Sequence, residues 1–421
     1  MTISTTRRRA FRRGGNRRAG LLGASLACAI VALTLLGGTA ASAPVQTAEV
    51  RVVTLPIANG LPLDLGIRKG FFARERIEVR KTTLQSGNDV VLALANNNGD
   101  IGYLGFVPMF IAHTNNIPLT LVAASEVEGT SQADNWQNIL VKGSSSIRRP
   151  ADLAGKTIAV NALKGVGEVM IKAALQKSGV RTNSIRLIAI PFPQMRSALN
   201  NGQVDAIWVP EPFLSQALNV DNARIVMAPG PVLGRYFPIG GYAARQSWRS
   251  RNTAVAERFR RAINRSLAYA QSHPNEIRGM LPAGTGNVRL PIWSPVIDRG
   301  KLQQLATYAR QYGVISRAPN LRQLVPSSIA SGLNLQGTVQ GRRVLLRLEG
   351  RVVTRLAAGP YTFVVTDNSR RHNFTLVGPR VNRRTTIRGV GRATWTLTLR
   401  AGTYRYWSSA RPGVKKTFRV T

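Results

Sequence analysis

Cysteine is almost absent from the sequence, and Cys28 is the only one among 421 residues. It lies in an apolar stretch, residues 19–41, that follows a basic segment and precedes the small residues 41–43. This pattern predicts a signal peptide over residues 1–43 and an exported, extracytoplasmic protein, with a retained membrane anchor as the alternative. The exported chain would contain neither a disulfide nor a cysteine-ligated metal, so its stability must come from packing.

Histidine is also scarce, and the three copies, His113, His273 and His372, lie in separate segments. The sequence contains no Gly-x-Ser-x-Gly elbow, no phosphate-binding P-loop and no His-Glu-x-x-His motif. These absences exclude three common enzyme signatures and predict a non-enzymatic protein without a cofactor or metal. A mechanism based on carboxylates alone stays open.

Acidic residues are few, because 19 Asp and Glu stand against 58 Lys and Arg, for a net charge of +39. The basic excess is dispersed, and we find no helix-turn-helix, zinc-finger or RNA-recognition pattern. We therefore predict that nucleic acid is not a partner. The charge fits either attraction to anionic polymers of the cell envelope or ordinary solvated faces.

From Val50 onward, short β-branched runs alternate with longer helix-like segments, which is typical of α/β units around parallel strands. Strands are predicted at residues 50–55, 100–103, 119–124, 157–160, 185–190 and 206–209. Helices are predicted at 62–72 with a stop at Gly70, from 166 to a stop at Gly179, and at 255–271 before Pro274. This amount of α/β sequence is enough for two lobes, and it ends near Pro326.

Beyond Pro326 the sequence contains no convincing helix. Short alternating runs at residues 344–348, 361–366, 373–377, 393–399, 403–407 and 417–420 are separated by Gly, Pro, Asn and Arg. This spacing predicts a small all-β sandwich over residues 331–421. The segment contains sixteen Arg and two Lys but only one Glu and one Asp.

Four stretches of the α/β part carry a family resemblance. They are Pro-Leu-Asp-Leu-Gly-Ile-Arg-Lys-Gly-Phe-Phe at 62–72; Leu-Ala-Leu-Ala-Asn at 92–96 with Gly-Asp-Ile-Gly at 99–102; Pro-Ala-Asp-Leu-Ala-Gly-Lys-Thr at 150–157; and Gly-Gln-Val-Asp-Ala at 202–206 with Glu-Pro-Phe at 211–213. In this order and at these separations they resemble the ABC importer substrate-binding proteins for sulfonates, taurine, nitrate and thiamine-pyrimidine precursors. That family is a branch of the type 2 periplasmic binding proteins.

The resemblance implies an α/β fold of two lobes over residues 49–328. The first lobe would comprise about 49–140 and 240–328, the second about 141–239, with crossover segments near 138–145 and 235–242. It also implies a monomeric receptor that traps a small organic solute between its lobes and delivers it to an ABC permease in the membrane. The alternative is an envelope-attached protein that binds anionic polymers and has vestigial lobes. A pyrimidine synthase on the same fold is disfavoured, because the cysteine-rich tract of that relative is missing.

In open α/β lobes, ligands lie at the carboxyl ends of strands, and the loops 54–61, 103–107 and 161–168 have that position. The candidate ligand-binding residues are Thr54, Asn59, Gly60, Tyr103, Gly105, Phe106, Ser125, Glu126, Asn161, Lys164, Gly165, Gly167, Trp208 and Glu211. The glycines fit turn geometry equally well, and the aromatic residues fit a lobe core. Glu126 and Glu211 are candidate acceptors for a ligand amine or amide, although Glu211 suits a hinge brace slightly better. The sequence does not identify the solute, and Lys164 is the one cation in these loops.

The C-terminal segment contains His-Asn-Phe-Thr-Leu at 372–376, Trp-Thr-Leu-Thr-Leu at 395–399 and Gly-Thr-Tyr-Arg-Tyr at 402–406. These runs resemble the closing strands of a cupredoxin, whose blue-copper site needs two His and a Cys thiolate. His372 matches the first histidine. Ser408 stands in place of the cysteine, Arg411 in place of the second histidine and Lys415 near the axial position. We therefore predict a cupredoxin-like sandwich that binds no copper.

Overall fold

The structure, a computed structural model, describes residues 46–282, 285–326, 329, 334–348, 351–356 and 359–420. The predicted signal peptide of residues 1–43 lies outside the described residues. Within the described ranges, no helix is both long enough and apolar enough to cross a membrane.

The elements of residues 46–326 alternate between strand and helix. The strands are β1 (Ala48–Thr54), β2 (Ile77–Thr83), β3 (Ile101–Gly105), β4 (Leu119–Val127), β5 (Gln137–Val141), β6 (Thr157–Val160), β7 (Arg186–Ala189), β8 (Ala206–Pro210), β9 (Arg224–Met227), β10 (Pro238–Arg245) and β11 (Ile292–Trp293). The helices are α1 (Leu61–Arg68), α2 (Phe71–Arg74), α3 (Gly87–Ala95), α4 (Phe106–Thr114), α5 (Val166–Lys177), α6 (Phe192–Asn200), α7 (Phe213–Asn219), α8 (Pro229–Leu233), α9 (Gln246–Arg251), α10 (Thr253–Ser272), α11 (Pro274–Arg278), α12 (Arg299–Gln311) and α13 (Leu321–Leu324).

The first lobe contains a six-stranded sheet in the order β2-β1-β3-β10-β4-β11. β1 lies parallel to β2 and β3, whereas β10 runs antiparallel to β3 and β4. Every residue of β4 is buried, as expected for a central strand covered on both faces. α10 contributes Phe259, Ile263 and Leu267 to the core, and all three are fully buried. Burying each of these side chains stabilises the fold by about 2 kcal/mol.

The second lobe contains a five-stranded sheet in the order β7-β6-β8-β5-β9. β6 lies parallel to β7 and β8, and β5 runs antiparallel to β8 and β9. The order β2-β1-β3-β10-β4 in the first lobe corresponds to β7-β6-β8-β5-β9 in the second. In both sheets the fourth strand, β10 or β5, runs antiparallel to its two neighbours. β11 is an additional strand at the edge of the first sheet.

The chain crosses between the lobes twice. Residues 128–136 connect β4 to β5, and residues 228–237 connect β9 to β10. The expected crossover near 138–145 is wrong, because residues 137–141 form β5, which pairs with β8 and β9. The apolar run Ile-Leu-Val in β5 is a strand signal, so the second sheet begins earlier than expected. The second crossover also ends earlier than expected, where β10 begins.

Two predicted helix ends are confirmed, and both have the same physical cause. Gly70 follows α1 with φ of 69°, and Gly179 follows α5 with φ of 78°. This left-handed conformation is common just after a helix and favours glycine, which has no Cβ. α10 also ends before Pro274, as the sequence indicates.

The β-region, residues 334–420, consists of two five-stranded sheets. Its strands are β12 (Asn334–Gln340), β13 (Arg343–Leu348), β14 (Arg351–Val352), β15 (Arg355–Leu356), β16 (Gly359–Asp367), β17 (Thr375–Gly378), β18 (Val381–Arg384), β19 (Gly391–Leu399), β20 (Gly402–Trp407) and β21 (Lys416–Val420). The sheet orders are β14-β13-β12-β16-β19 and β15-β21-β20-β17-β18. Phe363, Phe374 and Tyr404 lie in one shared core and are fully buried. The predicted fold class, two α/β lobes followed by an all-β region, is confirmed, and the likeness to a cupredoxin stays a prediction.

Candidate functional site

A cleft lies between the two lobes, where the strands of each sheet end. It contains about 520 Å³ of atom-free space, part of it open to solvent. Its lining residues are Leu55, Ile57, Asn59, Gly87, Asn88, Tyr103, Gly105, Pro108, Trp136, Gln137, Asn161, Ala162, Gly165, Val166, Phe192, Trp208, Pro210 and Ile239. Most of them follow the carboxyl ends of strands, which is where open α/β sheets bind ligands.

Six of the candidate residues line this cleft: Asn59, Tyr103, Gly105, Asn161, Gly165 and Trp208. They come from all three predicted loops and from β8. The structure therefore brings together loops that are more than a hundred residues apart in the sequence. Their contact with a solute stays a prediction.

Four candidates lie behind the cleft rather than in its lining. Phe106 is fully buried in the core of the first lobe, so the core alternative applies to it. Thr54, Ser125 and Glu126 are buried beneath the lining. Side-chain burial depends on tertiary packing, which the loop pattern does not reveal.

The remaining candidates have other positions. Gly60 is buried beside Thr54, and Gly167 packs on the Trp208 ring, where an added Cβ would lie 2.6 Å from Cε3. Lys164 is exposed outside the lining, and its backbone N–H donates to Glu168 Oε2 at 2.7 Å. Gly167 thus serves helix packing.

A buried polar layer supports the floor of the cleft. The Tyr103 hydroxyl donates to Glu126 Oε1 at 2.6 Å. Burial raises the pKa of Glu126, which favours its protonated form, and burial together with Glu126 raises the pKa of Tyr103 well above its usual value. Both polar side-chain atoms of Asn59, and the hydroxyls of Thr54 and Ser125, make no hydrogen bond of good geometry among the described residues, although Asn59 and Ser125 lie close enough to Glu126 to oppose the rise in its pKa. Since buried polar groups are normally paired, this layer contains hydrogen-bond donors and acceptors that are not fully used within the protein.

The described lining contains no Asp, Glu, Lys, Arg or His side chain. Its polar side-chain groups are amides, indole N–H donors including the unpartnered Nε1 of Trp208, and the Tyr103 hydroxyl, which donates to Glu126. α4 and α5 begin at the lining with Gly105 and Gly165 as their N-caps, and no side chain caps either helix. Free N–H groups at helix starts attract negative charge or carbonyl oxygen. The cleft therefore suits a solute that accepts hydrogen bonds and has a flat or apolar body.

Several lining residues were missed by the sequence reasoning. Gly87 and Asn88 follow β2, and Phe192 follows β7, so the carboxyl-end rule applied to these two strands would have found them. Trp136 and Gln137 lie where the first crossover meets β5. No local sequence signal marks them, because the crossover itself was misplaced.

The lobes contact each other directly across the cleft. Asn88 Nδ2 in the first lobe donates to the Leu163 carbonyl in the second at 3.2 Å. Gly105 lies so close to Val166 that an added Cβ would overlap the Val166 Cγ2 methyl. Ile57 packs against the cores of both lobes. The structure is therefore a closed arrangement of the two lobes.

Glu211 joins segments at the base of the lobes. Its side chain is fully buried and accepts hydrogen bonds from Ser215 N at 3.0 Å, Ser215 Oγ at 2.8 Å and Arg289 N at 3.0 Å. Its carbonyl accepts from Ala58 N at 2.9 Å. Burial raises the pKa of Glu211. Since the side chain does not line the cleft, the geometry matches the hinge brace rather than a ligand acceptor.

Glu128 is a second buried carboxyl group, located in the first crossover. Its Oε1 accepts a hydrogen bond from Gln137 Nε2 of β5, and Gly230 of the second crossover packs against its side chain. Its Oε2 has no partner in the described part of the chain. Burial raises the pKa of Glu128 to about 8, although the hydrogen bond from Gln137 opposes the shift. Glu128 is therefore neutral in the folded protein at pH 7.

This raised pKa predicts a pH-dependent stability. Unfolded Glu128 ionises near pH 4.5, whereas the folded form keeps its proton up to about pH 8, so stability falls as pH rises between these values. We expect the free energy of unfolding to decrease by about 2 kcal/mol from pH 6 to pH 8.5. Urea titrations at both pH values measure this. Glu128→Gln should remove most of the decrease, whereas exposed Glu78→Gln should not; an equal decrease in all three proteins contradicts the assignment.

The β-region brings His372 and Ser408 together. Their Nδ1 and Oγ atoms are 3.2 Å apart, and Asn373 N donates to the same Ser408 oxygen at 3.2 Å. The two residues therefore lie side by side, and the correspondence to a cupredoxin site stays a prediction. Within the described ranges, no group of three or more His, Cys, Asp or Glu residues is arranged to hold a metal ion.

Comparison with known proteins gives a family match. Residues 58–277 match the model of the family described as NMT1/THI5 like. Over 160 residues the chain is 28% identical to the taurine-binding periplasmic protein of Escherichia coli (strain K12). That match covers 37% of this chain and 47% of the relative, so it spans about half the length of that protein.

The fold is similar to those of solved binding proteins. The alkanesulfonate-binding protein SsuA from Xanthomonas axonopodis pv. citri, bound to MOPS, aligns with a TM-score of 0.56 and 18% identity, covering 67% of this chain and 99% of SsuA. The nitrate-binding protein NrtA from Synechocystis PCC 6803 aligns with a TM-score of 0.56 and 15% identity, covering 68% of this chain and 88% of NrtA. At these identities the likeness establishes the fold of the two lobes.

Proposed function

Because the chain belongs to the NMT1/THI5-like family, we propose that it is an extracytoplasmic solute-binding receptor of an ABC importer. The receptor captures a small organic solute, similar to a sulfonate, nitrate or a pyrimidine precursor, between its lobes. It then presents the closed form to the permease. In this proposal residues 1–43 direct export, residues 49–328 form the receptor and residues 331–421 form a separate domain.

The unpartnered polar groups of the cleft carry this proposal. The side-chain amide of Asn59 and the Nε1 of Trp208 are buried, and neither makes a hydrogen bond of good geometry in the described structure. Leaving such a group unpaired costs about 1–3 kcal/mol. A bound solute recovers this cost by accepting or donating the missing hydrogen bonds, and aromatic rings of the lining enclose its apolar part.

The chemistry of the lining also supports binding without reaction. General acid–base catalysis needs a titratable side chain within reach of the substrate. The described lining has no carboxyl, amine, guanidinium or imidazole group, and its titratable side chain, Tyr103, donates its hydroxyl to Glu126 beneath the cleft. The named relatives bind taurine, an alkanesulfonate and nitrate, which are all small solutes with oxygen acceptors.

Calorimetric titration of the protein tests the proposal. We expect binding heat with at least one solute among taurine, alkanesulfonates, nitrate and pyrimidine precursors. At a hundredfold excess over Kd the solute should stabilise the fold by about 2.7 kcal/mol. Asn59→Leu should weaken binding at least tenfold, because the solute loses a hydrogen-bonding amide of the lining. Absence of heat across this panel and a broad metabolite pool contradicts the proposal.

A further inference from the structure

Among the side chains described in the β-region, many are cations and none of them is paired with a carboxylate. Asp367 is its one described acidic residue, and it is buried, accepting hydrogen bonds from Thr385 Oγ1 at 2.7 Å and Ser369 N at 3.1 Å. Among the residues described between 334 and 420, no Arg or Lys forms an ion pair. The described cations of this region therefore act on the surrounding solution without a paired carboxylate.

Three loops of the β-region, residues 368–374, 385–390 and 408–415, meet at one end, which we call the loop end. Asn373 holds their bases together. Its Nδ2 donates to the Thr385 carbonyl at 3.0 Å, and its Oδ1 accepts from Ser409 N at 2.7 Å. The three loops therefore project from a common, fixed base.

The loop end points away from the lobes. Leu348 and Tyr361 of the β-region line a groove together with Tyr269 and Trp293 of the first lobe. Tyr361 lies near the start of β16, whereas the first of the three loops follows the opposite end of that strand. The loop end is therefore accessible to a large flat partner.

The loop end combines cations with apolar tips. Its exposed cations are Arg370, Arg371, Arg388, Arg411 and Lys415. Ile387 is 43% exposed, Val390 51% and Val414 57%. These three are most of the large exposed apolar side chains in the described β-region, where Val352 is the fourth. Single exposed apolar residues are ordinary, but their concentration on adjacent basic loops is not.

We propose that the loop end binds the surface of an anionic phospholipid bilayer. The cations pair with the lipid phosphate groups, and Ile387, Val390 and Val414 enter the boundary between head groups and acyl chains. A soluble polyanion would pair with the cations but leave the three apolar side chains in water. Lipid therefore satisfies both features of this surface.

A dye at the tip of one loop tests insertion. In a Cys28→Ser background, Val414→Cys is labelled with an environment-sensitive fluorophore. The control is Ala401→Cys, in the turn at the opposite end of the β-region. With vesicles of equal phosphatidylglycerol and phosphatidylcholine, the dye at position 414 should shift to the blue and brighten several-fold, and the dye at 401 should not. With pure phosphatidylcholine neither dye should respond.

Paired charge variants then test the role of the cations. Each cation near an anionic surface contributes roughly fivefold in binding, so Arg388→Gln with Arg411→Gln should raise the half-saturating lipid concentration about 25-fold. Arg380→Gln with Arg400→Gln, at the opposite end, should change it less than threefold. The proposal is overturned if the dye at 414 stays in water, if both pairs weaken binding equally, or if polyphosphate binds while anionic vesicles do not.

Discussion

Gly105→Val is expected to weaken solute binding at least hundredfold while leaving each lobe folded. Gly105 has φ of −71°, so its backbone accepts any residue. In this closed arrangement an added side chain would overlap Val166 of the opposite lobe. Inserting three carbons into this contact costs about 3 kcal/mol, and we expect the closed form to carry that cost. Calorimetry with the solute identified for the wild type measures the effect.

A rescue variant and a control variant distinguish an effect on lobe closure from a general loss of stability. Gly105→Ala should weaken binding less, and adding Val166→Ala should restore it, because the double variant removes the overlapping methyl. Gly279→Ala is a control in the first lobe, since its new Cβ would have no neighbour closer than 3.5 Å. Equal losses for Gly105→Ala with and without the Val166 change would contradict the interlobe contact.

Glu211→Ala is expected to lower the free energy of unfolding by about 4 kcal/mol. The change removes the acceptor of three hydrogen bonds, two of them buried and one part-buried, so Ser215 N, the Ser215 hydroxyl and Arg289 N lose their partner. Each buried group left unpaired costs about 1–3 kcal/mol. Urea unfolding at pH 7 measures the loss.

Glu78→Ala is the control for the expected decrease in the free energy of unfolding. Glu78 is exposed on β2 and pairs with Arg80, so its removal should cost less than 1 kcal/mol. A loss for Glu211→Ala no larger than for Glu78→Ala would show that the buried carboxyl group does not brace the hinge. The solute affinity of folded Glu211→Ala protein then reports whether the Glu211 side chain also fixes the positions of the cleft residues.

The loops of the cleft were predictable because strand ends are visible in the sequence. The runs that form β1, β3 and β6 are short, apolar and followed by glycine-containing segments, and Asn59, Gly105 and Gly165 lie in those segments. The helix stops at Gly70 and Gly179 were predictable for a similarly local reason. In each case one stretch of chain contains the whole signal.

The roles that were not predictable depend on contacts between distant segments. Glu126 lies beneath the cleft because its strand pairs with β10 and its carboxyl group meets Tyr103. Trp136 enters the lining because the first crossover ends at β5 rather than beyond it. Burial and strand pairing of this kind are properties of the assembled lobes, and a short sequence window does not contain them.

Small-angle X-ray scattering with and without a solute that calorimetry has shown to bind tests most directly whether the two lobes clamp a solute. The account predicts a smaller radius of gyration for the wild type at saturating solute, and a smaller change for Gly105→Val at the same solute concentration. An unchanged radius of gyration in the wild type, with the solute demonstrably bound, would contradict it.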